Sequence, residues 1–235
     1  MDNETMDLEQ LASYLQRDVR EVSKMASRGH LPGQKIGGQW RFASAEINYW
    51  IETQLPSYTA EELEAIEAGT SRGQQETKPL LTALLSQDTM AVPLAATTKA
   101  SVLKELVNLA EKSWQVYAPD ALLSAIKQRE ELGSTALSSG IAVPHPRRPS
   151  PTMLGDPVVA YARTFSGIPF GAQQGALSDL FFLVCCREQR THLKVLARIS
   201  RMMLLPGLVD DLRAAETVAE SFQILNEGER QLLDD

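Results

Sequence analysis

The chain has 235 residues, enough for one or two domains with a substantial buried core. Its 43% hydrophobic and 23% charged residues are ordinary for a globular protein, and no apolar run reaches the roughly 18 to 20 residues that a bilayer span requires. A formal net charge of −7 excludes a protein that merely coats nucleic acid.

The opening MDNETMDLEQL lacks the basic-then-apolar order of a signal peptide, so a cytoplasmic location is expected. Cys185 and Cys186 are adjacent inside the run LFFLVCC. Neighbouring strand residues point to opposite faces, so these thiols read as small buried hydrophobes in a reducing compartment.

Leu8, Leu11, Ala12 and Leu15 fall at helical spacing and predict a short first helix. Asp18, with Glu21 three residues on, predicts a capped second helix whose inward face is Val22, Met25 and Ala26 and whose outward face carries Arg20, Ser23 and Lys24; Gly29 ends it. Gln34–Ile36, the Gly37-Gly38 turn and Trp40–Phe42 read as a hairpin. A third helix follows, capped by Ser44, with Ile47, Trp50 and Ile51 inward. From Arg17 to Arg41 six basic residues face two acidic ones, a local net of +4 in an acidic protein.

On Leu15, Val22, Gly29-His30-Leu31-Pro32, Lys35, Gly37-Gly38-Gln39-Trp40-Arg41-Phe42 and Trp50-Ile51, residues 6 to 53 resemble the excisionase-like, MerR-related DNA-binding family. The resemblance implies a winged helix-turn-helix in which Arg20, Ser23, Lys24, Lys35 and Arg41 meet DNA, the second helix in the major groove and the wing over the backbone. Arg17 departs from the pattern, standing where a small apolar residue is usual, which implies a looser turn or an extra phosphate contact. Taken by themselves these charges are equally an ordinary solvated helix face. Residues 1 to 56 hold six basic and eight acidic residues, so a single copy should bind weakly and a homodimer is expected for specific binding.

The reading divides the chain into a DNA-binding domain at 1–55, a linker at 56–78 and a second domain at 79–235. Within the linker, Thr59 and Glu62 form a capping box that opens an acidic helix running to Ala68. After it TSRGQQETK reads as polar and flexible. From Pro79 helices and strands alternate: a strand at Met90–Pro93, amphipathic helices at Lys99–Ser113 and Ala118–Glu131, a short strand ending at His145, and strands at Val158–Arg163 and Leu180–Cys185. Helices at Thr191–Leu205, Gly207–Ala214 and Ala219–Leu225 close the chain. The expected fold is therefore α+β in the small first domain and layered α/β in the second, a mixed β-sheet flanked by helices.

Arg129 to Arg148 carries the chemistry, because a polar Gly/Ser/Thr loop leads into an apolar strand that stops at Pro144 and delivers His145. Such a histidine is a poised nucleophile, a ligand or a solvated turn residue. Arg129 by itself fits a helix C-terminal cation, and His192, beside Thr191 at a helix start, fits a cap or surface histidine. Arg147 and Arg148 read as a solvated pair facing an acidic partner, and His30 as structural.

On Arg129-Glu130, Ser134-Thr135, Gly140-Ile141-Ala142-Val143-Pro144-His145, the strand Leu180–Val184 and His192-Leu193-Lys194-Val195-Leu196, residues 80 to 231 resemble the fructose/mannitol/nitrogen-type enzyme IIA (type-2) domain of the bacterial phosphotransferase system. The resemblance implies a phosphoryl carrier with His145 as the phosphorylated group, held by Arg129, Ser134 and Thr135 with His192 as its second histidine, and a histidine phosphocarrier protein as donor. Neutral imidazole attacks phosphorus without first losing a proton, and fixed donors then hold the phosphoryl charge. Neither cofactor nor metal is expected. Pro146, where a small residue is usual, stiffens the loop and removes one amide donor. The combined expectation is a regulator coupling phosphorylation to transcription; the alternative is an enzyme IIA component whose N-terminal module binds a protein instead of DNA.

Overall fold

The computed structural model describes residues 5–69, 79–147 and 151–234. The expected flexible stretch after Gly69 and the residue Arg148 lie outside the described residues.

The N-terminal unit follows the expected order. Helix α1 (Leu8–Leu15) opens on a capping box in which Asp7 accepts from the Gln10 amide at 2.8 Å. Helix α2 (Val19–Ser27) is capped by Asp18, which accepts from the Arg20 amide at 2.8 Å. Glu21 does not complete the box; its carboxylate pairs with Arg17, which also reaches Glu62 at 3.4 Å. Strands β2 (Gln34–Ile36) and β3 (Gln39–Ala43) form the wing, and β1 (Thr5–Met6), unforeseen in the sequence, pairs antiparallel with the other edge of β3. Helix α3 (Ser44–Gln54) begins one residue earlier than a Ser44 cap allows: Ala43 holds the cap position and makes no side-chain cap bond. Helix α4 (Ala60–Gly69) starts at the expected Thr59/Glu62 box, with bonds of 3.0 and 3.3 Å.

In the second unit, β4 (Met90–Leu94), β5 (Ile141–Ala142), β6 (Val158–Ile168) and β7 (Ser178–Cys185) form, among the described residues, one sheet in the order β4-β6-β7-β5. It is mixed: β6 and β7 run antiparallel, while β4 and β5 lie parallel to β6 and β7. Alternation along the strands sorts the core. Val159, Tyr161, Leu180, Phe182 and Val184 pack toward α7 (Gln189–Met202), α8 (Leu208–Ala214) and α9 (Val218–Asp234). Ala160, Ala162, Phe181, Leu183 and Cys185 pack toward α5 (Lys99–Glu111) and α6 (Pro119–Glu131). Cys185 and Cys186 fall on opposite sides as expected, and burial pushes the Cys186 thiol up to about 12.

Helix α9 runs past its expected end at Leu225 because Gly228 does not break it. A Cβ there would meet the terminal methyl of Leu208 in α8. The next residue, the fully buried Glu229, accepts from the amides of Leu80, Leu81 and Thr82 at 2.7, 2.7 and 2.8 Å, from the Thr82 hydroxyl at 2.6 Å, and from Arg198 at 2.9 Å. Arg198 continues to Glu67 of α4 at 2.9 Å, and Arg201 reaches Glu67 at 3.0 Å. Helix α4 is thereby fastened to α7, and Leu11, Phe42, Ile51 and Leu63 join the apolar cluster that covers one face of the sheet. None of the described helices is long and apolar enough to cross a membrane.

Candidate functional site: two histidines, an arginine and a carboxylate

The loop between α6 and β5 is held by its own backbone and by Arg213 of α8. The Leu137 amide donates to the Ile141 carbonyl at 2.7 Å, and Arg213 binds both Asp179 and the Ser139 carbonyl. Gly140 has φ +88° and packs where a Cβ would strike Arg213, so this turn requires glycine. The chain then enters β5, pairs with β7 and leaves it at Val143 with Pro144 still accepting from the Val184 amide at 3.0 Å. His145 is thus delivered at a strand end with little freedom, and only 3% of it is exposed.

The ring of His145 is held from both sides. Nδ1 lies 2.8 Å from the Val143 carbonyl, which fixes Nδ1–H as donor and leaves Nε2 as the reactive nitrogen. Arg129, in the last turn of α6, donates Nε–H toward that Nε2 at 3.2 Å and Nη1–H to the Gly133 carbonyl at 3.0 Å. His192 occupies the fourth position of α7, which begins two residues earlier than expected, and its ring meets that of His145 edge-on at 4.8 Å.

The structure therefore brings Arg129, His145 and His192 together. Ser134 and Thr135 turn their hydroxyls elsewhere: Ser134 donates to the Phe170 carbonyl at 3.0 Å, and Thr135 donates to Glu130, itself paired with Lys99 at 2.7 Å. Each hydroxyl has one proton, and both are spent away from His145 in this arrangement. Pro146 is buried directly behind the histidine, while Arg147 is exposed with its guanidinium 5.2 Å from the Tyr49 ring.

Sequence reasoning missed Glu52. This residue of α3 places Oε2 3.2 Å from His145 Nε2 and 3.6 Å from Arg129 Nη2, and Oε1 3.4 Å from His192 Nε2; its side chain is 7% exposed. Asn48 of the same face donates to Gln189 at 2.6 Å and accepts from Tyr14, and Tyr49 lies 5.0 Å from Arg129. Glu52, His145 and His192 are metal-ligand types whose donor atoms lie within 4.8 Å of one another, a cluster that no sequence spacing reveals because one member comes from another unit. Arg129, between Glu52 and His145, disfavours a cation there.

Burial favours the neutral form of Glu52, but its contacts with the rings of His145 and His192 outweigh that and hold the carboxyl well below its ordinary range. Burial also dominates at His192 and pushes its imidazole down; a neutral ring donating Nε2–H to Glu52 satisfies both. Both shifts have the same linkage sign. The unfolded chain takes up protons that the folded site refuses, so stability is fully present above about pH 6.5 and falls as His192, then Glu52, is titrated in the unfolded chain. Denaturation midpoints measured from about pH 7 to pH 4 should decline by at most about 1.4 kcal/mol per pH unit per group, less steeply at the upper end in His192→Gln and at the lower end in Glu52→Gln.

Of the expected DNA-facing residues, Arg20, Lys24 and Lys35 are exposed and Ser23 and Arg41 half-buried. Lys35 lies 5.1 Å over the Trp40 ring, and Arg41 bonds to Gln39 and the Trp40 carbonyl. His30, expected to be structural, is exposed.

A helix-turn-helix unit joined to a mixed α/β sheet that buries a histidine at a strand end defines the class: an enzyme IIA-type fold carrying a helix-turn-helix module. The chain belongs to the phosphoenolpyruvate-dependent sugar phosphotransferase system EIIA 2 family, whose profile matches residues 83–228, and a helix-turn-helix domain profile matches residues 5–55. It is 27% identical over 152 residues to the fructose-specific EIIABC component of Bacillus subtilis, covering 64% of this chain but only 24% of that protein's length. It is 31% identical over 130 residues to the nitrogen regulatory protein of Pseudomonas aeruginosa, covering 54% of this chain and 82% of that one. Among solved structures, the nitrogen regulatory protein IIA-Ntr of Neisseria meningitidis superposes with a TM-score of 0.57 at 23% identity, covering 63% of this chain and 99% of that one. The mannitol IIA structure from Escherichia coli gives 0.54 at 21%, covering 60% and 98%.

Proposed function

We propose that the chain is a cytoplasmic regulator of the phosphotransferase system, in which a histidine phosphocarrier protein phosphorylates His145 and the helix-turn-helix unit, acting as a homodimer, binds DNA. The observation that carries the reading is His145 itself: Nδ1 is tied to the Val143 carbonyl while Nε2 faces Arg129 at 3.2 Å. In the transfer the Nε2 lone pair forms a bond to phosphorus, the donor's N–P bond breaks, and its electron pair returns to the donor's ring nitrogen. The Arg129 fork takes the phosphoryl charge, with His192 beside it. Ser134 and Thr135 join them by rotating their hydroxyls away from Phe170 and Glu130.

Incubation with phosphoenolpyruvate, enzyme I and the phosphocarrier should label the protein in an acid-labile manner, and His145→Ala should abolish the label. Absence of label from both the wild type and Glu52→Gln refutes the carrier function. The six basic against eight acidic residues of positions 1 to 56 favour a second reading, a protein partner for the N-terminal unit. A salt-dependent duplex-DNA shift, lost in Lys24→Ala and Arg41→Ala but kept in the control Glu46→Ala, decides for DNA.

A further inference from the structure

We infer that the phosphoryl pocket has a ligand within its own chain: Glu52 of α3 sits where the phosphoryl group would be bound, so seating of the helix-turn-helix unit and phosphorylation of His145 exclude each other. The inference rests on the carrier function proposed above. Its geometry does not.

Glu52 meets the partners a phosphoryl group on His145 would require. Its Oε2 faces both His145 Nε2 at 3.2 Å and Arg129 Nη2 at 3.6 Å, and its Oε1 faces His192 Nε2 at 3.4 Å. A carboxylate is planar, anionic and acceptor-only, as phosphoryl oxygens are anionic acceptors, so the Arg129 and His192 donors serve either group. Phosphorus bonded to Nε2 with its three oxygens needs the space that Oε2 now fills. The added charge of about −1.5 to −2 would also face a buried carboxylate held in its ionised form.

Access leads to the same conclusion. His145 is 3% exposed and His192 7%, so a donor protein reaches Nε2 only after α3 moves. The contacts that seat α3 beside Glu52 are polar, Asn48 with Gln189 at 2.6 Å and Tyr49 against Arg129 and Arg147 at 5.0 and 5.2 Å, while Ile47 and Ile51 of the same helix join the apolar cluster. Helix α4, by contrast, is held to α7 by Glu67 with Arg198 and Arg201. Phosphorylation would therefore move α3 away from His145 while α4 remains, and the orientation of the DNA-facing helix α2 would follow the state of His145.

Initial rates of acid-labile labelling by the phosphorylated histidine phosphocarrier should be measured on full-length wild type, Glu52→Gln and Glu52→Ala. Amide exchange of residues 44–54 should be followed before and after phosphorylation. Both variants are expected to label about tenfold faster than wild type, which corresponds to a pocket closed roughly nine times in ten. Exchange in α3 is expected to rise in phosphorylated wild type toward that of unphosphorylated Glu52→Gln, a readout that loss of general stability would spread over α7 and α9 as well. Equal labelling rates with unchanged α3 exchange overturn the inference and leave the carrier function standing. Absence of label from wild type and both variants overturns the carrier function itself.

Discussion

Glu229→Ala should destabilise the protein by about 3–5 kcal/mol, lowering the thermal midpoint by roughly 10 °C, because it removes one partner from a fully buried ionic cluster. The residue is 0% exposed and satisfies three consecutive amides, one hydroxyl and one guanidinium. Without it the amides of half-buried Leu80 and of buried Leu81 and Thr82 lose their acceptor, and Arg198 keeps Glu67 as its carboxylate partner among the described residues. Glu229→Gln should cost less, since one amide oxygen still accepts while the pairing with Arg198 weakens. The exposed neighbour Glu227→Ala should stay within about 0.5 kcal/mol. Chemical denaturation of the three variants checks the order, and a Glu229→Ala midpoint within error of Glu227→Ala would show that the cluster contributes nothing net.

Arg129→Ala is expected to slow phosphoryl transfer to His145 by about 10²–10³-fold, the cost of removing one preorganised donor from a developing anion. Its side chain reaches three groups at once: His145 Nε2, the Gly133 carbonyl and Glu52. Arg129→Lys restores the charge without the fork, so it should recover only part of the rate. Because Arg129 also holds Glu52, the comparison belongs in the Glu52→Gln background, where the loosening of α3 no longer opposes the loss. Initial labelling rates with circular dichroism as a control on folding provide the measurement; a change under twofold would remove Arg129 from the transfer.

Much of this was legible in the linear chain. Leu8, Leu11 and Ala12, or Val102, Leu106 and Val107, repeat at helical spacing and must bury one stripe, so their helices follow from periodicity alone. The Thr59/Glu62 box and Gly29 marked helix ends because caps and left-handed turns are local chemistry. Boundaries were less legible. The last helix was expected to end at Leu225 but runs on through Gly228 to Asp234, and β1 is too short to show a pattern, existing only because β3 offers a free edge.

Local sequence by itself determined most of the elements and the strand-end placement of His145, and the family resemblance carried by Arg129-Glu130 and Gly140–His145 joined Arg129 to it as half of the candidate pocket. Only the tertiary structure decided that His192 faces His145, that Ser134 and Thr135 direct their protons to Phe170 and Glu130, and that Glu67 and Glu229 lock α4 to the core. Above all, it decided the place of Glu52. On α3 that residue is one more charge beside Tyr49 and Thr53, with no cap, repeat or motif to mark it. Its partners lie 77, 93 and 140 positions further along, and a carboxylate takes its role from the charges that folding brings to it.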